Sequence, residues 1–503
     1  MPEQAVAQKG HPKGLYVLFA TEMWERFNFY GMRSILIYFM TKALRFDHAF
    51  ASNLYGSYLS LVYLSPLLGG YIADRYWGNN RSIITGGIVM AIGEIVLFFC
   101  SSFYHTAPSL SHLLLFAGLG LMITGNGFFK PNISSLVGQL YTRDDHRKDA
   151  AYTIFYMGIN VGGMIGPFIC GYLAERRGDL GDYKWAFLTG AVGMCISVII
   201  QKIFQHKYVV DPQGIPLGTM PKDSPKVFSS IIPIIIGIAI LAAVMIGLFY
   251  LDSRFNYLFY LLIACIVIIP AIIFMDKSLT AAEKKKVVVI FTVCFFVIFF
   301  WGAFEQAGAS LSFFADEQTQ RQVGSFTVPA SWFQSLNSTF VVLFAPFFAW
   351  FWLKLGKREP SSPTKMALGL LLLSLGYLWI AQGVDNVAPG IKVSMIWLTG
   401  MYALHTAGEL CLSPIGMSLV NKLSPLKFSS LLMAIWFTAN AFGNKLAGVL
   451  SSLYPSEGTV TSFLGYKMHN LHEFFMLFVF MAGIASLVLF LLTKKLQKMM
   501  NAS

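Results

Sequence analysis

Fourteen apolar runs, each long enough to cross a hydrocarbon layer as a helix, decide what this chain can fold into. They fall at about 15–40, 52–73, 82–103, 112–140, 150–174, 185–204, 230–251, 256–275, 286–313, 331–353, 364–382, 392–421, 428–452 and 473–493. A span needs about 20 mostly apolar residues at a rise of about 1.5 Å each. The 503 residues are 56% hydrophobic and only 12% charged, and the polar stretches are short everywhere, so no soluble domain is expected. The net charge of +12 does not point to nucleic acid, because the basic residues sit in the connections between apolar runs. With both termini cytoplasmic, most of the 37 Lys and Arg fall on the cytoplasmic side, which sets the orientation. A short polar tail precedes the first run, and no cleavable signal is expected. The six cysteines (Cys100, Cys170, Cys195, Cys265, Cys294 and Cys411) all lie in apolar runs without a CxxC pair. They read as buried small hydrophobes, with neither a disulfide framework nor a metal site.

Residues 205–229 are polar and hold Pro212, Pro216, Pro221 and Pro225, the composition of a cytoplasmic linker. The expected organisation is a six-helix bundle over 1–204, the linker with a two-helix insert over 205–285, and a second six-helix bundle over 286–503. Six plus six is the layout of the major facilitator fold, here all-α and polytopic with 12 core helices and 14 in total, its site expected near midplane between the halves. The short loop Gly70-x-x-x-Asp74-Arg75-x-x-Gly78-x-x-Arg81 after the second run resembles that superfamily's cytoplasmic loop.

The first run carries Glu22, Glu25, Arg26 and Arg33. Charges inside a span cost roughly 2.5–3.5 kcal/mol each for Asp, Lys or Arg on insertion scales. At about 100° per residue, Glu22, Glu25, Arg26, Tyr30 and Arg33 share an arc of roughly 140°, so one face holds all the charge. Helix rise converts sequence distance into depth and gives two tiers. Glu25, Arg26, Lys130, Asn160, Tyr63 and Glu409 lie about 17–20 Å from the cytoplasmic boundary, and Arg33 and Glu305 about 30 Å. Cations belong to the N-terminal half (Arg26, Arg33, Lys130), and the carboxylates Glu305 and Glu409 to the C-terminal half. Such a site suits a zwitterion, with its carboxylate toward Lys130 and its ammonium toward Glu409. Without substrate the same charges are expected to neutralise one another, as the gating pairs Arg33–Glu305 and Lys130–Glu409. Carboxylates beside cations in a cavity that opens and closes can exchange protons, and no Asp or Asn cluster suggests sodium.

Five motifs in order resemble the proton-dependent oligopeptide transporter (POT) family, over residues 15 to about 450. They are Glu22-x-x-Glu25-Arg26-Phe27, Gly125-Asn126-Gly127-Phe128-Phe129-Lys130-Pro131-Asn132, and Phe155-Tyr156-Met157-Gly158-Ile159-Asn160. Phe304-Glu305-Gln306-Ala307-Gly308 and Gly408-Glu409-Leu410-x-x-Ser413-Pro414-x-Gly416 complete the set. The resemblance implies proton-coupled import of di- and tripeptides by alternating access, in a bacterial inner membrane, by a monomer without cofactor, H⁺ being the coupling ion. It implies that Glu22, Glu25, Arg26, Lys130 and Glu305 couple protons and that Arg33 with Glu305 forms the outer gate. Tyr30, Arg33, Tyr63, Lys130 and Asn160 would line the carboxylate end, Asn337, Glu409 and Ser413 the amino end, and Trp436 a side-chain pocket.

Phe29 and Phe155 stand where the family often has tyrosine, which removes two hydroxyls from the expected pocket wall. Glu94 is either a packing residue or an added titratable site. His405 precedes Glu409 by one turn, either as a proton relay or as a packing histidine. Lys445 is expected to snorkel or to pair locally. Pro131 and Pro414 should free carbonyls and bend their helices beside Lys130 and Glu409. The two insert helices, almost free of internal charge, are expected to be peripheral and dispensable to transport. Rival readings are a transporter of another small zwitterion or anion (an amino acid, nitrate), a peptide sensor, and a membrane hydrolase. The last lacks HExxH, GxSxG or paired intramembrane Asp.

Overall fold

The structure, a computed structural model, describes residues 10–142, 145–176, 182–221, 223–225, 230–387, 390–455 and 459–501. Among them, fourteen helices of 19 to 32 residues follow the fourteen apolar runs. The first six are α1 (Lys13–Tyr38), α2 (His48–Ile72), α3 (Asn79–Phe103), α4 (Pro108–Gln139), α5 (Arg147–Glu175) and α6 (Tyr183–Tyr208). The insert is α7 (Ile231–Phe255) and α8 (Tyr257–Met275). Then α9 (Ala281–Phe304) runs through a 3₁₀ turn at Glu305–Gly308 into the short α10 (Ser310–Glu317). The last five are α11 (Ser335–Leu355), α12 (Ser362–Gly383), α13 (Met395–Leu423), α14 (Ser429–Ser451) and α15 (Leu471–Met500). The described strands are two- and three-residue pieces in the connections, paired two by two. Ten of the spans are long and apolar enough to cross a membrane by hydropathy alone. α1 is not among them, because Glu22, Glu25 and Arg26 fall inside every window of it long enough to span. The chain is a multi-pass membrane protein.

The chain forms two compact units: residues up to Met32 with Ser65–Leu248, and Arg33–Leu64 with the residues from Phe249 onward. In the first, α3 packs against α4 and α6, and α5 against α6. Lipid tails are as apolar as leucine, so helices here associate by close backbone approach rather than by a hydrophobic drive. On α5, Gly158, Gly162 and Gly166 recur every fourth residue and face α1: a Cβ on Gly162 would lie 2.2 Å from the Met23 carbonyl oxygen, and one on Gly166 2.4 Å from that of Phe27. Pro131 removes the donor that would bind the Gly127 carbonyl, and that oxygen meets the bare Gly69 of α2, where a Cβ would be 2.0 Å away. Both Pro131 and Pro414 lie inside unbroken helices.

The linker docks on the loop between α2 and α3. Gly78 at φ +78° leaves room for the Thr219 carbonyl, the Asn80 backbone N–H donates to the Gly218 oxygen at 2.9 Å, and the Ser224 hydroxyl donates to the Tyr76 oxygen at 2.8 Å. α7 packs Ile234 against the stacked Trp77 and Phe128 rings.

In the second unit α12 lies against α13 and α15, while α14 lies on α9. Insert residues such as Ile232, Ile240, Tyr260 and Val267 are each more than 60% or close to 60% exposed, the signature of a lipid-facing helix. Yet the insert is anchored. The Lys445 ammonium of α14 donates to Asp252 Oδ2 at 2.6 Å and to the Ser57 hydroxyl of α2 at 2.7 Å, and Asp252 Oδ1 accepts the Leu258 backbone N–H at 2.8 Å. Lys445 therefore neither snorkels nor pairs locally. Its partner lies 193 residues away on α7, and both side chains are closed to solvent and lipid. Removing one member of a buried pair strands the other, at a typical cost of about 3–5 kcal/mol. Lys445→Ala should accordingly lower the apparent melting temperature in detergent sharply, and Lys445→Leu combined with Asp252→Leu should recover most of the loss. Equal melting of Lys445→Ala and the parent would show the pair to be inert. Gly162→Leu should abolish recovery of monodisperse protein, read by size-exclusion chromatography, since Met23 backbone cannot yield by the required distance.

Candidate functional site

On α1 the 3.6-residue period places Glu22, Glu25 and Arg26 on the face turned inward in the first unit. All three are at most 2% exposed. Arg26 Nε donates to Glu22 Oε1 at 2.8 Å and lies in ion contact with Glu25 Oε2 at 2.7 Å. Asn126 of α4 donates to Glu25 Oε1 at 3.3 Å, and the Lys130 charge, one turn further along α4, also acts on Glu25. Glu22 Oε2, Glu25 Oε2 and Arg26 Nη2 have no hydrogen bond. Two carboxylates thus share one guanidinium, and the Lys130 charge adds to the positive field on Glu25.

Phe29 lies under this cluster, its ring 5.5 Å from the Arg26 guanidinium carbon, a cation–π contact that needs no hydroxyl. Phe155 is 4% exposed and sits in the packing of α5. Tyr30 is half-buried beside Phe29. Asn160 is buried and its amide donates to the Tyr156 carbonyl of its own helix at 2.9 Å.

In the second unit the C-terminal part of α1 contributes Arg33. Its Nη2 pairs with Glu305 Oε2, and its Nε donates to the Tyr55 hydroxyl of α2 at 2.7 Å. Glu305 opens the 3₁₀ turn between α9 and α10, where Gly308 must lack a side chain because a Cβ would fall 1.8 Å from the Tyr55 hydroxyl. The tyrosine thereby reaches the guanidinium from below. Nearby, Tyr38 donates to the Ser312 carbonyl at 2.9 Å and Lys42 pairs with Asp316 at 2.6 Å, so this end of α1 is stitched to α10.

Glu409 of α13 accepts from Asn337 Nδ2 of α11 at 2.8 Å, and the same amide reaches the Thr406 hydroxyl at 3.2 Å. The three residues form one polar patch on two helices. Ser413, one turn on from Glu409, is half-buried. Trp436 is 2% exposed and its ring lies on Gly416, where a Cβ would be 2.2 Å away. Tyr63 of α2 is half-buried in the same unit. His405 is no relay to Glu409. It packs between Tyr377 and Phe304, 4.7 and 6.2 Å between ring centroids, and its Nε2 has no partner.

The predicted residues therefore gather as a carboxylate–guanidinium cluster (Glu22, Glu25, Arg26, with Lys130 nearby) in one unit, and as two polar groups (Arg33–Glu305, Asn337–Glu409) in the other. Sequence reading gave no role to Asn126, although it lies within a quoted motif, nor to Tyr55, Asn28 and Asp252. An amide five residues before Pro131 at the depth of Glu25 was a usable signal. Tyr55 and Asp252 had none, since nothing local marks their partners.

Comparison with known proteins identifies the family. The model of the POT family matches residues 80–464. The chain is 36% identical to the uncharacterized transporter YclF of Bacillus subtilis, with 90% of each chain covered. It is 31% identical to a di-/tripeptide transporter of Lactococcus lactis subsp. cremoris, over 98% of this chain and 97% of that one. A solved POT family transporter in complex with a thioalcohol-conjugated peptide superposes with a TM-score of 0.81 at 30% identity, covering 98% of this chain and 99% of that chain. With the six-two-six helix order, these likenesses show the major facilitator fold. The chain belongs to the POT family.

Proposed function

We propose that this chain is a proton-coupled symporter that imports di- and tripeptides by alternating access, in a bacterial inner membrane with both termini cytoplasmic. The observation that carries the reading is the closed Glu22–Arg26–Glu25 cluster with Lys130 acting on it. Desolvation favours the neutral acid and a neighbouring cation favours the anion, so opening or closing such a site moves a proton. The similar proteins support the substrate class: one is a di-/tripeptide transporter, and another was solved with a conjugated peptide.

Each group then has a task. Glu22, Glu25, Arg26, Lys130 and Glu305 couple the proton to movement. Arg33 and Glu305 close one access path while paired, with Tyr55 holding the guanidinium in line. Tyr30, Arg33, Tyr63, Lys130 and Asn160 receive the peptide carboxylate. Asn337, Glu409 and Ser413 receive the ammonium group, a charge-assisted contact that a simple anion such as nitrate cannot make. Trp436 borders the side-chain pocket. H⁺ is the coupling ion, and no bound cofactor is required.

In proteoliposomes with an inside-alkaline gradient, labelled dialanine should accumulate, and a protonophore should abolish the accumulation. Glu25→Gln should lose uphill uptake and keep counterflow exchange. Binding of dialanine without accumulation by the parent protein would instead favour a sensor. A hydrogen bond to a charged group contributes about 1.5–3 kcal/mol, roughly 10- to 100-fold in affinity. Glu409→Gln should raise the half-saturating dialanine concentration by about that factor, while competition by an N-acetylated dipeptide stays unchanged. Equal weakening of both ligands would remove Glu409 from the amino end.

A further inference from the structure

Glu94, on α3, is a buried carboxyl outside the machinery described above. We propose that Glu94 is a second proton-binding site, held as the neutral acid against Asn28 of α1. Both side chains are fully buried. Asn28 Nδ2 donates to Glu94 Oε1 at 3.0 Å, which leaves Glu94 Oε2 and Asn28 Oδ1 without any hydrogen-bond partner. An ionised carboxylate brings only acceptors, and the amide carbonyl brings another. Three acceptor oxygens therefore share one donor group in a site closed to water. One proton on Glu94 supplies the missing donor, and the two orphaned oxygens are the pair that it can join. Interchanging the amide oxygen and nitrogen of Asn28 leaves the count unchanged, because the amide still brings one acceptor.

The surroundings supply no alternative. Among the described residues no cation pairs with Glu94. On α1, Glu25 and Arg26 lie within a turn of Asn28, but they are engaged with each other. α6 presents Gly190, where a Cβ would lie 3.1 Å from the Glu94 carboxyl carbon, so the α6 residue at that contact brings no side-chain donor. α4 presents Gly118, Leu121 and Met122 at the level of the neighbouring Gly93. α5 presents the Cys170 thiol, itself buried, which donates to the Ala186 carbonyl at 3.7 Å. An anion here would have no counter-charge, and an unpaired buried charge costs several kcal/mol, more than a neutral hydrogen bond can offset.

The consequence is a contact between α3 and α1 that depends on one proton, set one turn beyond Glu25 on the helix that carries the carboxylate–guanidinium cluster. Losing the proton would place an unbalanced charge between the two helices and loosen their grip. The consequence for transport rests on the symport reading; the proton itself does not.

Infrared difference spectroscopy on the full chain in lipid reads the proton directly. The parent protein at neutral pH should show a carboxylic-acid C=O band that shifts in D₂O. The band should vanish in Glu94→Gln, survive in Glu25→Gln, and bleach as the medium is made alkaline. Asn28→Leu keeps the acid and deletes its partner, so the band should move toward the position of an unbonded acid. If Glu94→Gln removes no band between mildly acidic and mildly alkaline pH, or if Asn28→Leu leaves the band unmoved, the assignment is overturned. A protein that transports without coupling to protons would sink the symport reading and leave this band standing.

Discussion

A charge inside the hydrocarbon layer persists only with a partner, and the polar interior of this protein is organised by that rule. Stranding an ion costs several kcal/mol, whereas a neutral hydrogen bond returns about 1. Side chains distant in sequence are therefore drawn together by sign. Arg33 meets Glu305 across 272 residues, and Lys445 meets Asp252 across 193. Glu22 and Glu25 share Arg26 within a single turn. Each pair is also the kind of contact that a proton or a competing ligand can undo, so the devices that let charges reside in the membrane are the ones a transporter can switch.

Glycine makes the second condition possible. Where there is no hydrophobic drive, helices gain by approaching until backbones touch. Gly158, Gly162 and Gly166 bring α5 against the very turns of α1 that carry Glu25 and Arg26, and Gly308 admits Tyr55 beneath the Arg33–Glu305 pair. The glycines thus set the spacing within which the charged groups find one another. Prolines act alongside them: Pro131 leaves the Gly127 carbonyl free, and the bare surface of Gly69 accepts its approach.

The span count, the six-two-six order and the family motifs were legible in the chain, as was the pairing of Arg33 with Glu305, because depth along a helix follows from a fixed rise. The motifs also located the Glu22–Glu25–Arg26 cluster, since all three lie within one helix. For His405 the sequence left a relay and a packing histidine both open: one turn from Glu409 puts the residues near each other, but neighbouring helices decide which way the ring turns, and here Tyr377 and Phe304 claim it. Phe29 looked like a lost hydroxyl and proves to be a ring under a guanidinium. Lys445 looked like a local pair because its partner, Asp252, closes a helix that carries almost no other charge.

The sequence by itself determined that this chain crosses a membrane many times, which helices bear charge, and on which face and at what depth. Hydropathy, helical period and rise are properties of a single segment, so one segment suffices to read them. The tertiary structure alone decided that Asn126 reaches Glu25, that Tyr55 aligns Arg33, that Asn28 is the partner of Glu94, and that the insert is tied to α14 through Lys445. It also decided that α1 and α2 each contribute one end to a different compact unit. Those outcomes depend on how far each helix is rotated about its axis and which neighbour it faces. Both are fixed by packing among many helices at once, and no single segment records them.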